Sequence, residues 1–136
     1  MNREILFKGK RVEGGKWIYG YLSFFYIDNP GKGRIFSPKE VRSFDVISET
    51  VGQYTGLTDK NGVKIFEGDV IRHHYKNPAA NGYTSDRGVV KWDCKECFFY
   101  RTSLYGKDKT ISAGCIYEVI GNIYDNPELM EDKENE

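Results

Sequence analysis

The stretch YTGLTDKNGVKIFEGDVI, residues 54–71, constrains the fold more than any other part of the chain. It places an Asn61-Gly62 pair and the triplet Glu67-Gly68-Asp69 between short apolar steps. Asn and Gly tolerate the positive φ of tight reversals, and Asp side chains bond the amides of their own turns. This segment therefore predicts a hairpin, followed by a sharp corner into a strand that begins near Val70.

The whole chain is predicted to be mainly β, or α+β with little helix. Ten Tyr, eight Phe and fifteen Gly in 136 residues favour strands and turns over helices. A Gly-Asp turn, a Val/Ile strand, a polar hairpin and then Gly-Val-Val-x-Trp are typical of SH3-like barrels, whose closure removes exposed strand edges. We predict an SH3-like or partly open β-barrel core over residues 50–127, with an N-terminal β segment over 1–49 and an acidic flexible tail over 128–136.

Two segments carry local predictions of their own. Residues 35–48 predict short strands around a polar bend, with Ser37-Pro38 as a plausible start of a brief helix. Residues 76–88 are polar and rich in turn formers, which predicts an exposed long hairpin loop.

The charge balance and the short apolar runs argue against a strongly basic nucleic-acid binder and against a membrane-spanning protein. Twenty basic and twenty acidic residues cancel, so no global field draws the chain to nucleic acid or to an anionic membrane. Residues 128–136 carry five acids and one lysine, which leaves the rest of the chain net positive. The chain shows no apolar run of membrane-spanning length and no signal-peptide core, and its three cysteines are an odd number. We expect a cytoplasmic protein with no membrane partner.

Two strings carry a family resemblance: QYTGLTDKNGVKIFEGDVI at residues 53–71 and YEVIGNIYDNPELM at residues 117–130. With the opening REILFKGK, they resemble the YopX family, whose members are encoded in prophages and temperate phages of Gram-positive and gut bacteria. The resemblance implies a small, oligomeric, phage-derived protein in the host cytoplasm, with no established activity and no catalytic residues to transfer. It marks thirteen family-motif positions, for which we predict a structural role: Tyr54, Gly56, Leu57, Asp59, Asn61, Gly62, Glu67, Gly68, Asp69, Gly121, Asn122, Asn126 and Pro127.

The acids of the first string are the first candidates for chemistry. Glu67 and Asp69 share a face of an extended segment, where they could bind a divalent cation or act as acid and base. Neither a further metal ligand nor a histidine partner is evident nearby in the sequence. We therefore favour backbone roles for this string, with Glu67 as the one acid that lacks an obvious turn function.

The cysteines and histidines are the second candidates. Cys94 and Cys97 form a lone CxxC, which we expect on a hairpin turn, and Cys115 with one histidine would complete a zinc set. His73 and His74 point to opposite faces of a strand, so they cannot share one metal from regular β geometry. We favour plain thiols near a turn and predict no catalytic residue, no metal and no cofactor, while metal binding by the three cysteines stays open.

Aromatic residues and nearby cations suggest a binding surface. Trp17, Tyr19 and Tyr21 fall on one side of a strand, and Ile18, Leu22 and Phe24 fall on the other. Apolar residues on both faces indicate a strand covered on both sides or a face in a subunit contact. The neighbouring cations could instead make the aromatic side a nucleic-acid stacking platform; these cations are Lys8, Lys10, Arg11 and Lys16.

The favoured hypothesis is an uncharacterised prophage accessory protein that acts as a homo-oligomeric protein-interaction module without catalytic activity. A host or phage protein is a further candidate partner. The alternative is a small β-barrel domain that binds nucleic acid, which the zero net charge and the lack of an RNP-like string disfavour.

Overall fold

The computed structural model describes residues 4–25, 32–77, 82–104 and 107–131. The prediction of a mainly β protein is confirmed, because these residues form eleven strands and two short 3₁₀ helices. The helices are Ser48–Thr50 and Pro127–Met130. The strands are β1 (Phe7–Lys10), β2 (Trp17–Phe25), β3 (Lys32–Ser37), β4 (Arg42–Ile47), β5 (Gly52–Thr58), β6 (Lys64–Phe66), β7 (Asp69–Asn77), β8 (Gly82–Asp93), β9 (Phe98–Arg101), β10 (Lys109–Thr110) and β11 (Ile116–Asn122).

The strands form two sheets. The first has the order β4-β3-β2-β1-β5-β6, and the second has the order β10-β9-β8-β7-β11. The chain divides into two compact units, residues 1–56 and 57–136, and β5 runs across that boundary. In the part of the chain that the structure describes, neither sheet closes into a barrel, and residues 50–127 contribute strands to both sheets. No helix among the described residues is long and apolar enough to cross a membrane.

The first unit is built around a small apolar core. Ile18, Ile35, Phe44 and Val46 are buried in it, with Phe7, Leu22 and Val51 packed against them. An isolated bridge joins Arg11 to Val46, so the end of β1 approaches β4 and the sheet curls. This core forms because the inward residues of β2, β3 and β4 alternate with outward ones.

The alternation predicted for β2 is confirmed where side chains are described. Ile18 is buried, whereas Tyr19 is 49% exposed and Tyr21 is 54% exposed. The side chain of Phe24 lies outside the described residues. The outward face of β2 is therefore open to solvent in the single chain.

Between β3 and β4 the predicted bend is present, but the brief helix is wrong. The hydroxyl of Ser37 accepts a hydrogen bond from the backbone N–H of Glu40 at 3.2 Å, as a helix cap would. The chain then turns, because Val41 has a φ of 53° and β4 begins at the next residue. Pairing of β3 with β4 outweighs the local tendency to start a helix.

The second unit has its own core and a long two-stranded ribbon. Ile65, Ile71, Val90, Ile111 and Tyr117 are buried together. The prediction of a long loop over residues 76–88 is wrong, because β7 continues to Asn77 and β8 begins at Gly82. Antiparallel pairing between the two strands keeps residues 76–77 and 82–88 extended, and residues 78–81 lie outside the described residues.

Candidate functional site

The two strings that carry the family resemblance meet at Asp59, which follows β5 and is 7% exposed. Its Oδ1 accepts hydrogen bonds from the backbone N–H groups of Asn61 at 2.8 Å and Val63 at 2.9 Å. Its Oδ2 accepts from the backbone N–H of Val119, in the second string, at 3.0 Å. Burial alone would raise the pKa of Asp59, but the three amide donors outweigh it and hold the pKa below its ordinary value. Asp59 therefore ties the turn to β11 as a carboxylate.

The same turn covers the outer edge of β11. This strand is the last in its sheet, with β7 as its partner on one side. On the other side, the backbone N–H of Lys60 donates to the carbonyl of Tyr117 at 2.9 Å. Gly62, with a φ of 81°, closes the reversal by donating its N–H to the carbonyl of Asp59 at 3.0 Å. The predicted reversal at residues 59–62 thus occupies the position where a further strand could pair.

The corner between β6 and β7 makes a second junction with the end of the second string. Gly68 has a φ of 94°, and its carbonyl accepts from the backbone N–H of Ile123 at 3.0 Å. A Cβ at Gly68 would lie 3.0 Å from Cε2 of Tyr124. Asp69 is 2% exposed, and its Oδ2 accepts from the backbone N–H of Phe66 at 2.8 Å. Glu67 lies half-buried at this corner.

Beyond β11 the chain turns tightly around Asn122. The Oδ1 of Asn122 accepts from the backbone N–H groups of Tyr124 at 3.0 Å and Asp125 at 2.9 Å. A Cβ at Gly121 would lie 2.6 Å from Oδ1 of Asn126 and 2.7 Å from Cδ1 of Leu129, so it would displace the ends of both side chains. Pro127 begins the 3₁₀ helix that follows.

The other motif positions lie in β5. The backbone N–H of Tyr54 donates to the carbonyl of Leu6 at 2.7 Å. Gly56 is exposed at the boundary between the units, and Leu57 packs against the second core. All thirteen motif positions thus fall in strands, turns or the start of the last 3₁₀ helix. Five of them take part in hydrogen bonds or strand pairs that join the two strings: Asp59, Gly68, Asp69, Gly121 and Asn122.

A buried charge network lies on β8 and β9, and the sequence analysis did not single it out. Asp86 is 6% exposed and Arg101 is 1% exposed. The Oδ2 of Asp86 accepts from Nη1 of Arg101 at 3.1 Å and from the hydroxyl of Ser103, and its Oδ1 accepts from the backbone N–H of Leu104 at 3.3 Å. Burial raises the pKa of Asp86, but the bonds from Ser103 and Arg101 outweigh it, and the net pKa is lowered. These bonds offset the desolvation of the pair.

His73 completes this network as a neutral acceptor. Its Nδ1 lies 2.9 Å from Nη2 of Arg101, and because a guanidinium can only donate, the proton of the neutral ring is on Nε2. Burial, and then the charge of Arg101, lower the pKa of His73. The ring centroid lies 5.2 Å from those of Tyr75 and Tyr117, and burial raises the pKa of Tyr117 to about 12. The arrangement anchors Arg101 between an acid and a ring.

His74 faces the other way, so the predicted opposition of the two histidines is confirmed. Its Nε2 lies 3.2 Å from Oε1 of Glu118, and Nη1 of Arg72 lies 3.5 Å from the same oxygen. The hydrogen bond from His74 is the main reason that the pKa of Glu118 is lowered. This trio lies on paired positions of β7 and β11.

The cysteines lie in two places on the second unit. Cys94 and Cys97 are exposed in the turn between β8 and β9, as predicted, and Oδ1 of Asp93 accepts from the backbone N–H groups of Lys95 and Glu96 at 2.9 and 3.1 Å. Cys115 lies with its Sγ 3.4 Å from Oγ of Ser112. Within the described ranges, no three or more His, Cys, Asp or Glu side chains are grouped so that they could hold a metal ion.

Comparison with known proteins identifies the family of this chain. The family model described as YopX protein matches residues 7–131. The chain belongs to the YopX family. The crystal structure of protein EF1440 from Enterococcus faecalis is similar in fold to this YopX protein, with a TM-score of 0.52 and 23% sequence identity over 94% of this chain and 99% of that chain. No curated protein matches the chain in sequence.

The first unit of this YopX protein carries an aromatic face, which we define as Trp17, Tyr19, Tyr21 and Phe36. The first three alternate along β2, and Phe36 is the direct partner of Tyr21 on β3, so all four share one side of the sheet. Tyr19 and Tyr21 are half exposed, and Trp17 and Phe36 are half-buried.

Two of the four predicted cations lie on the side of this face, because Lys8 is the direct partner of Tyr19 and Lys10 of Trp17, whereas Lys16 and Arg11 contact other residues. Lys8 is 5% exposed, with its Nζ 4.7 Å from the ring centroid of Trp17. The backbone N–H of Lys10 donates to the hydroxyl of Thr50 at 2.9 Å. Lys16 pairs with Glu40 at 3.8 Å, and Arg11 lies over the ring of Phe44.

A different set of cations lines a basic groove of about 240 Å³ in the first unit. The cations are Arg11, Lys32, Arg34 and Arg42, and the remaining lining residues are Val12, Glu13, Ser43, Phe44 and Asp45. The guanidinium carbons of Arg11 and Arg42 lie 4.7 and 4.4 Å from the ring centroid of Phe44. Only Arg11 was among the cations singled out in the sequence, because the others come together through the pairing of β3 with β4.

Proposed function

We propose that this YopX protein is a non-catalytic interaction module that associates with copies of itself through the aromatic face. The observation that carries the proposal is the exposure of Tyr19, at 49%, and of Tyr21, at 54%, on adjacent outward positions of β2. Tyr and Trp are enriched at subunit interfaces, because they bury a large area at a small entropic cost. Stacking of this face on its counterpart would cover both rings.

The placement of the family motif supports the same proposal. The turns of residues 53–71 are bonded to residues 117–130 through backbone N–H groups, whose acceptors are backbone carbonyls and the carboxylate of Asp59. A motif that positions backbone is what a binding scaffold needs, whereas catalysis needs side chains directed at a substrate. We carry over from the family resemblance that the scaffold is a prophage-encoded accessory protein. We include in the proposal the SH3-like arrangement of strands that the sequence predicts.

Size-exclusion chromatography with light scattering at micromolar concentration tests the proposal. We expect a mass above the 15.7 kDa of one chain, and the double variant Tyr19→Ser/Tyr21→Ser should return to that mass. Ile116→Ser is the matched control, since Ile116 is 52% exposed on the other unit and should leave the mass unchanged. Self-association through this face is refuted if the wild-type protein is a monomer, or if the Tyr19→Ser/Tyr21→Ser variant keeps the mass of the wild-type assembly.

Nucleic-acid binding remains the second candidate, and the aromatic face with its flanking cations is its basis. The burial of Lys8 and the pairing of Lys16 with Glu40 leave fewer free cations beside the rings than the sequence suggests. The hypothesis predicts salt-sensitive binding that Lys10→Glu or Arg11→Glu weakens. If no gel shift with DNA or RNA is seen at low salt, this candidate is eliminated.

A further inference from the structure

The basic groove holds more positive charge than its own acids neutralise. Arg11 reaches Glu13 at 3.9 Å, and Nε of Arg34 reaches Oδ1 of Asp45 at 3.6 Å. In the described part of the chain, no carboxylate lies within ion-pair distance of Lys32 or Arg42. Four cations against two acids leave an excess of two positive charges in the groove.

The groove is also arranged for carboxylates. The stacking of Arg11 and Arg42 on Phe44 fixes two guanidinium groups without using their N–H donors. The Nε of Arg34 is buried and has no hydrogen-bond partner among the described residues. Fixed guanidinium donors suit carboxylates, because each can accept two parallel hydrogen bonds from the planar fork.

The chain itself contains a segment of the opposite charge. Residues 1–56 contain nine Lys and Arg against six Asp and Glu, whereas residues 57–136 contain eleven against fourteen, so the units carry formal charges of opposite sign. The acidic segment ELMEDKENE, residues 128–136, has five acids and one lysine, and it accounts for the whole negative excess of the second unit. Residues 131–136 of this segment follow the last 3₁₀ helix, and six residues can span at most about 20 Å.

We propose that the basic groove of one copy binds the acidic segment of a second copy. This inference rests on the self-association proposed above and adds a second, electrostatic contact to it. The carboxylates of residues 128–136 pair with Lys32 and Arg42, the cations that lack an acidic partner in the described chain. Each copy carries one groove and one segment, so two copies can exchange segments reciprocally.

Sedimentation of full-length variants tests the inference. The groove-neutral variant is Lys32→Gln/Arg42→Gln, and the segment-neutral variant is Glu131→Gln/Asp132→Asn/Glu134→Gln/Glu136→Gln. We expect each to weaken association about tenfold or more at low salt, and far less at high salt, where the charges are screened. The matched control is Lys76→Gln/Lys91→Gln, which removes two exposed lysines from the other unit and should leave association unchanged.

Mixing the two variants separates a contact between copies from an effect within one copy. Each variant alone lacks one half of the contact, but the mixture contains an intact groove on one chain and an intact segment on the other. We expect the mixture to associate more tightly than either variant alone. If it does not, the inference is wrong. Lys32→Gln alone leaves the contact of Arg42 with Phe44 in place. If this variant associates as tightly as the wild-type protein, the inference is also wrong.

A labelled peptide ELMEDKENE distinguishes failure of this inference from failure of the proposed function. Fluorescence anisotropy should show the peptide binding to the segment-neutral protein and not to the same protein with Lys32→Gln/Arg42→Gln added. If only the tyrosine variants weaken association and the peptide does not bind, the groove proposal fails and the aromatic face stands. If an oligothymidylate of equal charge binds the groove more tightly than the peptide, the groove is a nucleic-acid site and the proposal is wrong.

Discussion

Replacing Asp59 tests whether one carboxylate joins the two strings of the family motif. Asp59→Ala removes two turn hydrogen bonds and the bond to the backbone N–H of Val119. Loss of turn-capping bonds costs about 1 kcal/mol, and a hydrogen bond to a charged group contributes about 1.5–3 kcal/mol. Because the site is buried, we expect the free energy of unfolding to fall by about 3 kcal/mol in total.

The chain provides a matched control in Asp93. Its carboxylate also accepts from two exposed turn amides, those of Lys95 and Glu96, but it accepts no long-range hydrogen bond from the residues that the structure describes. Asp93→Ala should therefore cost only the turn contribution, about 1 kcal/mol. The difference between the two variants isolates the bond that reaches β11.

Urea unfolding in a Trp17→Phe background measures both variants, because Trp92 is then the only tryptophan and reports on the second unit. With an m-value of about 2 kcal/mol per molar, a loss of 3 kcal/mol lowers the midpoint by about 1.5 M. If Asp59→Ala costs no more than Asp93→Ala, the carboxylate serves its own turn only, and the structural reading of the motif is wrong.

Three further predictions concern pH, backbone strain and close packing. The pKa of His73 is lowered in the folded protein, so the unfolded chain takes up a proton on this residue first as pH falls below about 6.5. The free energy of unfolding should therefore drop as pH falls from 7 to 5. In urea titrations, His73→Asn should make the free energy of unfolding depend less on pH over this range. Val41 is 75% exposed with a φ of 53°, so Val41→Gly should raise the free energy of unfolding by about 1 kcal/mol, whereas Val63→Gly should not. Gly121→Ala should cost about 1 kcal/mol, because its Cβ must displace the side-chain oxygen of Asn126 that accepts from the backbone N–H of Asn122, while Gly114→Ala, with open space around it, should change thermal melting little. Melting that is equal for the two alanine variants would contradict the packing argument.

The sequence predicts local backbone features of this protein well. The reversal at residues 59–62, the corner at Gly68, the outward tyrosines of β2 and the CxxC turn depend on nearby residues, so they can be read without a partner strand. The meeting of the two strings is different, because the bond from Val119 to Asp59 spans 60 positions. The family resemblance includes both segments that this bond joins, but it does not predict that the two segments are in contact.

Strand register explains what the sequence did not reveal. His73 lies directly opposite Asp86, and Arg101 lies opposite Val90, so the buried network exists only in this pairing. A shift by one residue would turn each of these side chains to the other face. Residues 76–77 and 82–88 differ from the predicted loop for the same reason, since their extended form comes from pairing and not from hydrophobic alternation.

The covered edge of β11 has a consequence for behaviour at high concentration. Exposed strand edges can recruit strands from other molecules, which leads to domain swapping and fibrils. In the second sheet, the β5–β6 turn occupies one edge, and the strand at the other edge, β10, has only two residues. That sheet offers little template for strand exchange, so ordered aggregation of the concentrated protein should not begin at its edges.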